Sequence, residues 1–256
     1  MKATFLGTGT STGIPTLGCS CPVCTSQNPK NFRNRCSLWV QFPQMAGPPL
    51  SLIIDTGPDF RLQCLKHGVK HLDTLLITHP HADHLSGLDD IRPFTYHKPV
   101  EVFCDQSTMD RIRVNFHYIF EANTQGTSRP NARFSIIDGP FLTSGIPVVP
   151  VPIHHGKWEI LGFRIGPLAY LTDCNGIPES SYALLEGVDT VVIGALRYKP
   201  HPTHFSLSEA LEAVKPIGAR QVFLTHLGHD LEHEQLCQEL PPGVAPAFDG
   251  LTLTWD

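Results

Sequence analysis

An α/β fold, a single domain over residues 1–256 with sheets at its centre and helices outside, is predicted by three observations. Short apolar runs bounded by turn residues recur along the whole chain, and segments of helical period alternate with them. No Gly/Ser linker or charge block divides the alternation. The 21 Gly and 23 Pro cut the chain into many short elements and exclude a coiled coil. A chain of 256 residues also buries enough surface to fold without staples.

Taken in order, strands are expected at 3–6, 37–42, 50–54, 74–77 and 100–103 in the first half. The second half adds 146–151, 162–165, 168–171, 190–193, 221–224 and 251–255. Helical spacing appears at 59–67, 84–91, 107–118, 178–185, 206–214 and 230–240. Ser206 with Glu209 fits a capping box, a hydroxyl followed three residues later by a carboxylate. Segment 41–50 carries Pro43, Gly47, Pro48 and Pro49, which suits a hairpin connection and no central strand. Segment 121–132 is polar and aperiodic, either a surface loop or a lid over a site.

Composition narrows the function classes. Lys+Arg 19 against Asp+Glu 24 gives a net charge of −5, which argues against holding nucleic acid by its phosphates. Hydrophobic content of 41% and a mean hydropathy of −0.06 exclude general disorder. No window approaches the ~20 apolar residues of a membrane span. The start, Phe5-Leu6-Gly7-Thr8-Gly9, turns polar before a signal-peptide core develops, so a cytoplasmic location is expected. In that reducing setting, clustered cysteines point to metal more than to disulfides.

Three strand endings carry the chemistry. Leu76-Ile77-Thr78-His79, Tyr170-Leu171-Thr172-Asp173 and Phe223-Leu224-Thr225-His226 each run apolar residues into Thr and then a metal-competent side chain. A buried strand fixes whatever follows its last residue, so three such endings can converge on one point. The first opens into His79-Pro80-His81-Ala82-Asp83-His84, four ligand-type side chains in six residues. Positions 79 and 81 can face one metal from an extended turn, and 83 and 84 a second from a helix start. Such donors suit Zn²⁺, Mn²⁺ or Fe²⁺, and two metals roughly 3.5–4 Å apart form a hydrolytic pair.

With these residues the sequence resembles the metallo-β-lactamase-fold hydrolases, whose signature is His-x-His-x-Asp-His. The resemblance extends over nearly the entire chain, including Phe5-Leu6-Gly7-Thr8-Gly9, Ile54-Asp55-Thr56-Gly57 and the later His, Asp and His. It implies a four-layer αβ/βα sandwich. It also implies that His79, His81 and His155 hold one metal, that Asp83, His84 and His226 hold the other, and that Asp173 bridges them. Asp55 corresponds to a carboxylate that orients the His-rich loop. Of the adjacent His154 and His155, only one can face the metals from an extended strand. The family pattern, a ligand before a small residue and Lys, selects His155 before Gly156-Lys157.

Cys19-x-Cys21-x-x-Cys24 is a separate signal, since three thiolates at that spacing converge on one Zn²⁺ and need a fourth ligand. His229, three residues after His226, is the leading fourth ligand, with Cys36 and Cys237 behind it. Cys64, Cys104 and Cys174 read as small core residues. The combination is similar to the phosphoribosyl cyclic phosphodiesterases of the carbon–phosphorus lyase pathway and their wider relatives. His204, ahead of the capped helix, matches a family His that serves as general acid without ligating metal. Gly7-Thr8-Gly9-Thr10-Ser11-Thr12-Gly13 lacks the Lys of a Walker loop and is expected to let the backbone pass near the metals. Arg33 with Arg35, or Arg197 with Lys199, are candidates to meet an extra substrate phosphate.

The expectation is therefore a dinuclear phosphodiesterase with two active-site Zn or Mn ions and one structural Zn. A metal-bridging hydroxide attacks phosphorus, Asp173 sets the pair, and His204 assists the leaving oxygen. The substrate implied by the resemblance is a small ribose cyclic phosphate such as 5-phosphoribosyl 1,2-cyclic phosphate, with no nucleic-acid or membrane partner and a homodimer left open. The rivals are a transfer-RNA 3′-end-processing nuclease, a pyrroloquinoline-quinone biosynthesis protein of the same fold, and a metal-stabilised binding module without turnover.

Overall fold

The computed structural model describes residues 1–121 and 128–255. One sheet gathers β1 (Lys2–Gly7), β2 (Ser37–Phe42), β3 (Leu50–Ile54), β4 (Thr74–Leu76), β5 (Val100–Cys104) and β6 (Ala132–Ile136). The second gathers β7 (Phe141–Thr143), β8 (Ile146–His155), β9 (Trp158–Ile165), β10 (Leu168–Leu171), β11 (Thr190–Gly194), β12 (Gln221–Thr225) and β13 (Val244–Pro246). The last strand, β14 (Thr252–Thr254), returns to pair with β1. Strand orders are β14-β1-β2-β3-β4-β5-β6 and β13-β12-β11-β10-β9-β8-β7. Each sheet is antiparallel at one end and parallel at the other: β3 to β6 and β10 to β13 run parallel. Parallel strands carry their C-terminal ends to one edge, and the three Thr-x endings lie there.

Alternation along the strands explains the layers, because successive side chains point to opposite faces. Phe5, Leu52, Ile54 and Leu76 of the first sheet meet Val148, Phe163, Tyr170 and Val192 of the second in a shared core. Their neighbours Leu6, Ile53 and Leu75 face outward onto α1 (Phe60–His67), α2 (Ala82–Leu85) and α3 (Gln106–Asn115). Ala169, Leu171, Val191 and Ile193 likewise face α4 (Glu179–Leu184), α5 (Leu207–Val214) and α6 (His233–Glu239). Strands covered on both faces read as continuous apolar runs, which is why their patterns carry so little polar interruption. Each fully buried Leu or Ile contributes about 1.5–3 kcal/mol, so the site rests on a stiff base. Among the described residues no helix is long and apolar enough to cross a membrane.

Several expected elements differ. The helix over 84–91 splits into α2 and a 3₁₀ stretch, Leu88–Thr95, with Gly87 at the join, where a Cβ would collide with the Gly57 carbonyl. The helix over 107–118 ends at Asn115 and resumes as a 3₁₀ turn, His117–Ile119. The last helix starts only at His233, capped by the Glu232 carboxylate accepting from the Gln235 N–H. Strands β6, β7 and β13 escaped the sequence pattern because they are short or partly exposed edge elements. Segment 41–50 does connect antiparallel strands. Of the lid candidate 121–132, residues 122–127 lie outside the described residues. The capping box at Ser206 and Glu209 is formed on both sides.

Candidate metal centre

The centre is assembled at the strand ends. Asp55, Asp173 and His226 directly follow β3, the β10 ending and β12, and all three adopt positive φ, at 63°, 62° and 55°. This left-handed backbone costs a non-glycine residue about 1–3 kcal/mol and persists only where surrounding structure enforces it. Gly57 allows the chain to approach the next ligand loop, because a Cβ there would collide with the Asp83 carbonyl oxygen.

Asp173 stands in the middle, buried, and its two carboxylate oxygens face different partners. Oδ2 lies 3.0 Å from His79 Nε2, and Oδ1 lies 2.7 Å from His226 Nε2. Asp83 Oδ2 lies 3.2 Å from His84 Nε2 and 3.6 Å from His226 Nε2. Ligand-type atoms within 4.8 Å of one another therefore form three overlapping groups: Asp83, His84, Asp173, His226; His79, His81, Asp173; and His155, Asp173, His204. His155 thus falls with His204 around Asp173 rather than in one group with His79 and His81, although its ring is 5.0 Å from that of His81. His155 is buried while His154 is exposed, as strand alternation requires.

Asp55 is fully buried and holds the His-rich turn in place. It accepts from the Thr78 N–H at 2.8 Å and from the Thr78 hydroxyl, and its Oδ2 lies 2.7 Å from His84 Nδ1. His84 therefore turns Nδ1 to a carboxylate and Nε2 to the centre, an arrangement typical of ligating histidines. His155 does the same with a backbone group, donating Nδ1–H to the Asp173 carbonyl at 2.6 Å. His204 Nδ1 sits 3.0 Å from Asp173 Oδ1, and its ring stacks on His226 with centroids 5.0 Å apart.

The electrostatics suit cations. Burial alone would raise the Asp83 and Asp173 carboxyls, yet the histidines beside them hold both below the ordinary range. Burial pushes His79 down to about 4, which keeps it neutral. Burial would also lower His226, but Asp173 and Asp83 raise it to about 10. His84 Nε2, His226 Nε2 and Asp173 Oδ1 are buried and crowd together at contact distance without forming an aligned hydrogen bond. Orphaned polar atoms of this kind are costly, and imidazoles grouped with carboxylates are the donor set of hydrolytic divalent metals. The residues fit.

The second cluster lies on a loop. Cys19, Cys21 and Cys24 place Sγ at 3.2, 3.6 and 3.8 Å from His229 Nδ1, and all four ligand atoms fall within 4.8 Å of one another. The Cys24 N–H holds the Cys21 thiol down to about 6, so a thiolate is available at neutral pH. Cys36 lies elsewhere, its thiol against the Gly9 carbonyl and Thr225 hydroxyl, and Cys237 is exposed. Cys64, Cys104 and Cys174 are core residues.

The arginine candidates are committed to structure. Arg33 is almost fully buried and donates to the Gly228 and Leu231 carbonyls at 3.0 and 2.7 Å, pinning the segment that carries His229. Arg35 pairs with Asp59, and Arg197 closes its own loop on the Lys199 and Pro200 carbonyls. The Gly-rich turn packs against the residue that follows His226, with Thr10 donating its N–H to the Leu227 carbonyl at 3.2 Å. Sequence reasoning missed Thr78, whose hydroxyl anchors Asp55. The Thr common to the three strand endings was its signal. It also missed Arg111 and Trp158, which line a cleft beside His81.

Residues 51–227 match the family described as Beta-lactamase superfamily domain. The chain belongs to this superfamily, and within it to the PhnP family, as a metal-binding hydrolase of the metallo-β-lactamase fold. A solved structure of a new diphosphatase from the PhnP family is 38% identical, with a TM-score of 0.91 over 100% of this chain and 98% of that one. Zn²⁺-bound PqqB from Methylobacterium extorquens shares the fold, at 17% identity and a TM-score of 0.77 over 100% of both chains. An octanoyltransferase from Porphyromonas gingivalis is 37% identical over 98% of this chain, which spans only 51% of that protein.

Proposed function

We propose that the chain is a metal-dependent phosphodiesterase acting on a small cyclic ribose phosphate of the 5-phosphoribosyl 1,2-cyclic phosphate kind. The observation that carries this reading is the Asp173 carboxylate, with one oxygen toward His79 and the other toward His226. In the proposed assignment His79, His81 and His155 hold one cation, and Asp83, His84 and His226 hold the other. Asp173 serves both. When bound, a pair of divalent cations supplies Lewis acidity toward phosphoryl oxygens and lowers the pKa of water. Asp55 fixes the orientation of His84 and, through Thr78, the start of the His-rich turn. His204 turns Nδ1 to Asp173, which leaves Nε2 to deliver a proton to the departing sugar oxygen. Cys19, Cys21, Cys24 and His229 are proposed to hold a structural zinc. Zn or Mn at the centre, a small-molecule partner and a single catalytic domain complete the proposal.

A second reading, hydrolysis of a diphosphate linkage, is favoured by the 38% identity to a diphosphatase. Turnover of the metal-loaded protein on ribose cyclic phosphates, linear diesters, nucleoside diphosphate esters and RNA separates the two. Preference for the cyclic ester supports the first reading, and preference for the diphosphate supports the second. Hydrolysis of RNA alone overturns both.

A further inference from the structure

Three chain segments meet at the centre, and each brings one residue to it: His155 at the end of β8, Asp173 after β10, and His204 ahead of α5. A single side chain joins them. Asn175, two residues after Asp173, accepts from the Gly156 N–H through Oδ1 at 2.8 Å and donates from Nδ2 to the Pro202 carbonyl at 2.9 Å. Both partners are backbone groups of fixed polarity, so the orientation of the amide is settled and only an amide serves both. Asn175 is itself fixed, because its N–H meets the His154 carbonyl at 2.8 Å and His154 pairs with Gly176. The loop at Pro202 is tight in its own right: the Thr203 N–H and hydroxyl lie 3.3 and 3.2 Å from His201 Nδ1. It rests on Gly156, where a Cβ would come within 2.9 Å of Thr203 Cγ2. Past His204, the Phe205 N–H returns to the Cys174 carbonyl at 2.7 Å. His204 is therefore held by backbone on its C-terminal side and by the Asn175 amide on its N-terminal side.

We infer that Asn175 is a positioning residue for His204, setting where its ring stands against the departing oxygen of the substrate. The inference rests on the general-acid role given to His204 in the phosphodiesterase reading and names what makes that role possible. His204 Nδ1 lies 3.0 Å from Asp173 Oδ1, and its ring sits 4.9 Å from that of His155 and 5.0 Å from that of His226. Those contacts orient the ring, and the place of its backbone follows from Pro202. Without the amide, the Pro202 carbonyl loses its donor and the loop is free to lift from the His155 turn. Proton delivery needs heavy atoms about 2.6–3.2 Å apart, and a displacement of about 1 Å can cost about 10²-fold. Among the described residues, Asn175 hydrogen-bonds to no metal-competent side chain, so its effect passes through the loops it joins.

The test gives the metal-loaded protein two substrates. One is 5-phosphoribosyl 1,2-cyclic phosphate, which releases a sugar alkoxide, and the other is bis(p-nitrophenyl) phosphate, which releases a weakly basic phenolate. Asn175→Ala should lower kcat on the first by about 10–100-fold and change the second by less than about twofold. Metal content by elemental analysis should stay at the wild-type level. Asn175 is half-buried at the surface, so the truncation opens no enclosed cavity and the variant is expected to fold. Asn175→Asp keeps the acceptor for Gly156 but sets a carboxylate oxygen against the Pro202 carbonyl, so it should lose as much as Asn175→Ala. In the His204→Ala background, Asn175→Ala should cost nothing further, since residues that act as one unit are not additive. Losses that multiply, equal slowing on both esters, full activity of Asn175→Asp, or metal lost from the centre each overturn the positioning role and leave the phosphodiesterase reading standing. If His204→Ala itself slows both esters alike, the general-acid role falls and this inference with it. A wild type inert on both esters overturns the phosphodiesterase reading as a whole.

Discussion

At the His/Asp centre, the ligand-type atoms hang from the ends of buried strands, whereas Cys19, Cys21 and Cys24 sit on a loop outside both sheets. Most of the first set is nearly solvent-free: His79, His84, Asp173 and His226 are each no more than 2% exposed, and His81 alone opens widely to solvent. The thiolate set is half open, with only Cys24 buried and His229 exposed. Backbone strain follows the same division, since Asp55, Asp173 and His226 are left-handed and none of the four thiolate-cluster residues is. Strain and burial are tolerated where two sheets enforce them, and they pre-set a reactive geometry. A loop has no such enforcement, and in the proposed reading a structural zinc would hold it. The comparison thus separates a centre built by the fold from a loop cluster proposed to help build it. His226 and His229, three residues apart, tie the two together through a segment pinned by Arg33.

The largest expected effect breaks the fold-built side. Asp173→Ala should reduce phosphodiester turnover to background while zinc at the thiolates is retained, measured by steady-state assay with elemental analysis. Persistent turnover would show that the carboxylate does not organise the centre. His204→Ala comes next, with a loss of about 10²–10⁴-fold on diesters that release a sugar alkoxide and little change on p-nitrophenyl esters. Unchanged metal content must accompany it, and equal slowing on both substrates would assign His204 to positioning instead.

Cys21→Ser addresses the other side. Thiolate binding is folding free energy, so the variant should lose its zinc and a few kcal/mol of stability. That is well below the ~10–16 kcal/mol of an isolated zinc finger, because the sheets here supply a core of their own. Denaturant unfolding measures it, and a variant as stable as wild type but inactive would make the cluster catalytic. Smallest is Asp55→Asn, which keeps the shape but weakens the hold on His84 Nδ1 and Thr78. Metal affinity at the centre should fall by about 10–100-fold in a competitive chelator titration, with the thiolate zinc unaffected.

Much of this was legible in the chain because strands buried on both faces announce themselves as apolar runs, and their endings carry Thr plus His or Asp. Edge strands such as β6 and β13 announced nothing, because half-exposed pairing tolerates Arg133, Ser135 or Pro246. The His79–His84 turn was readable from spacing alone, and Ser206 with Glu209 from capping chemistry. Which arginines remain available was not readable. Arg33 looks like a surface residue until the Gly228 and Leu231 carbonyls are seen around it, and Arg111 on α3 has no local signature. Contacts made at a sequence separation of about 195 residues leave no trace in a local pattern.

The central claim is that two chemically distinct clusters divide catalysis and folding between them. Zinc-edge X-ray absorption on the zinc-loaded protein, before and after Asp173→Ala, tests it most directly. Wild type should show mixed nitrogen/oxygen and sulfur scattering, with Zn–S near ~2.3 Å and Zn–N near ~2.0–2.1 Å. In the variant the nitrogen/oxygen component should shrink and the sulfur shell remain. A spectrum with no sulfur shell in wild type, or one unchanged by Asp173→Ala, would contradict the account.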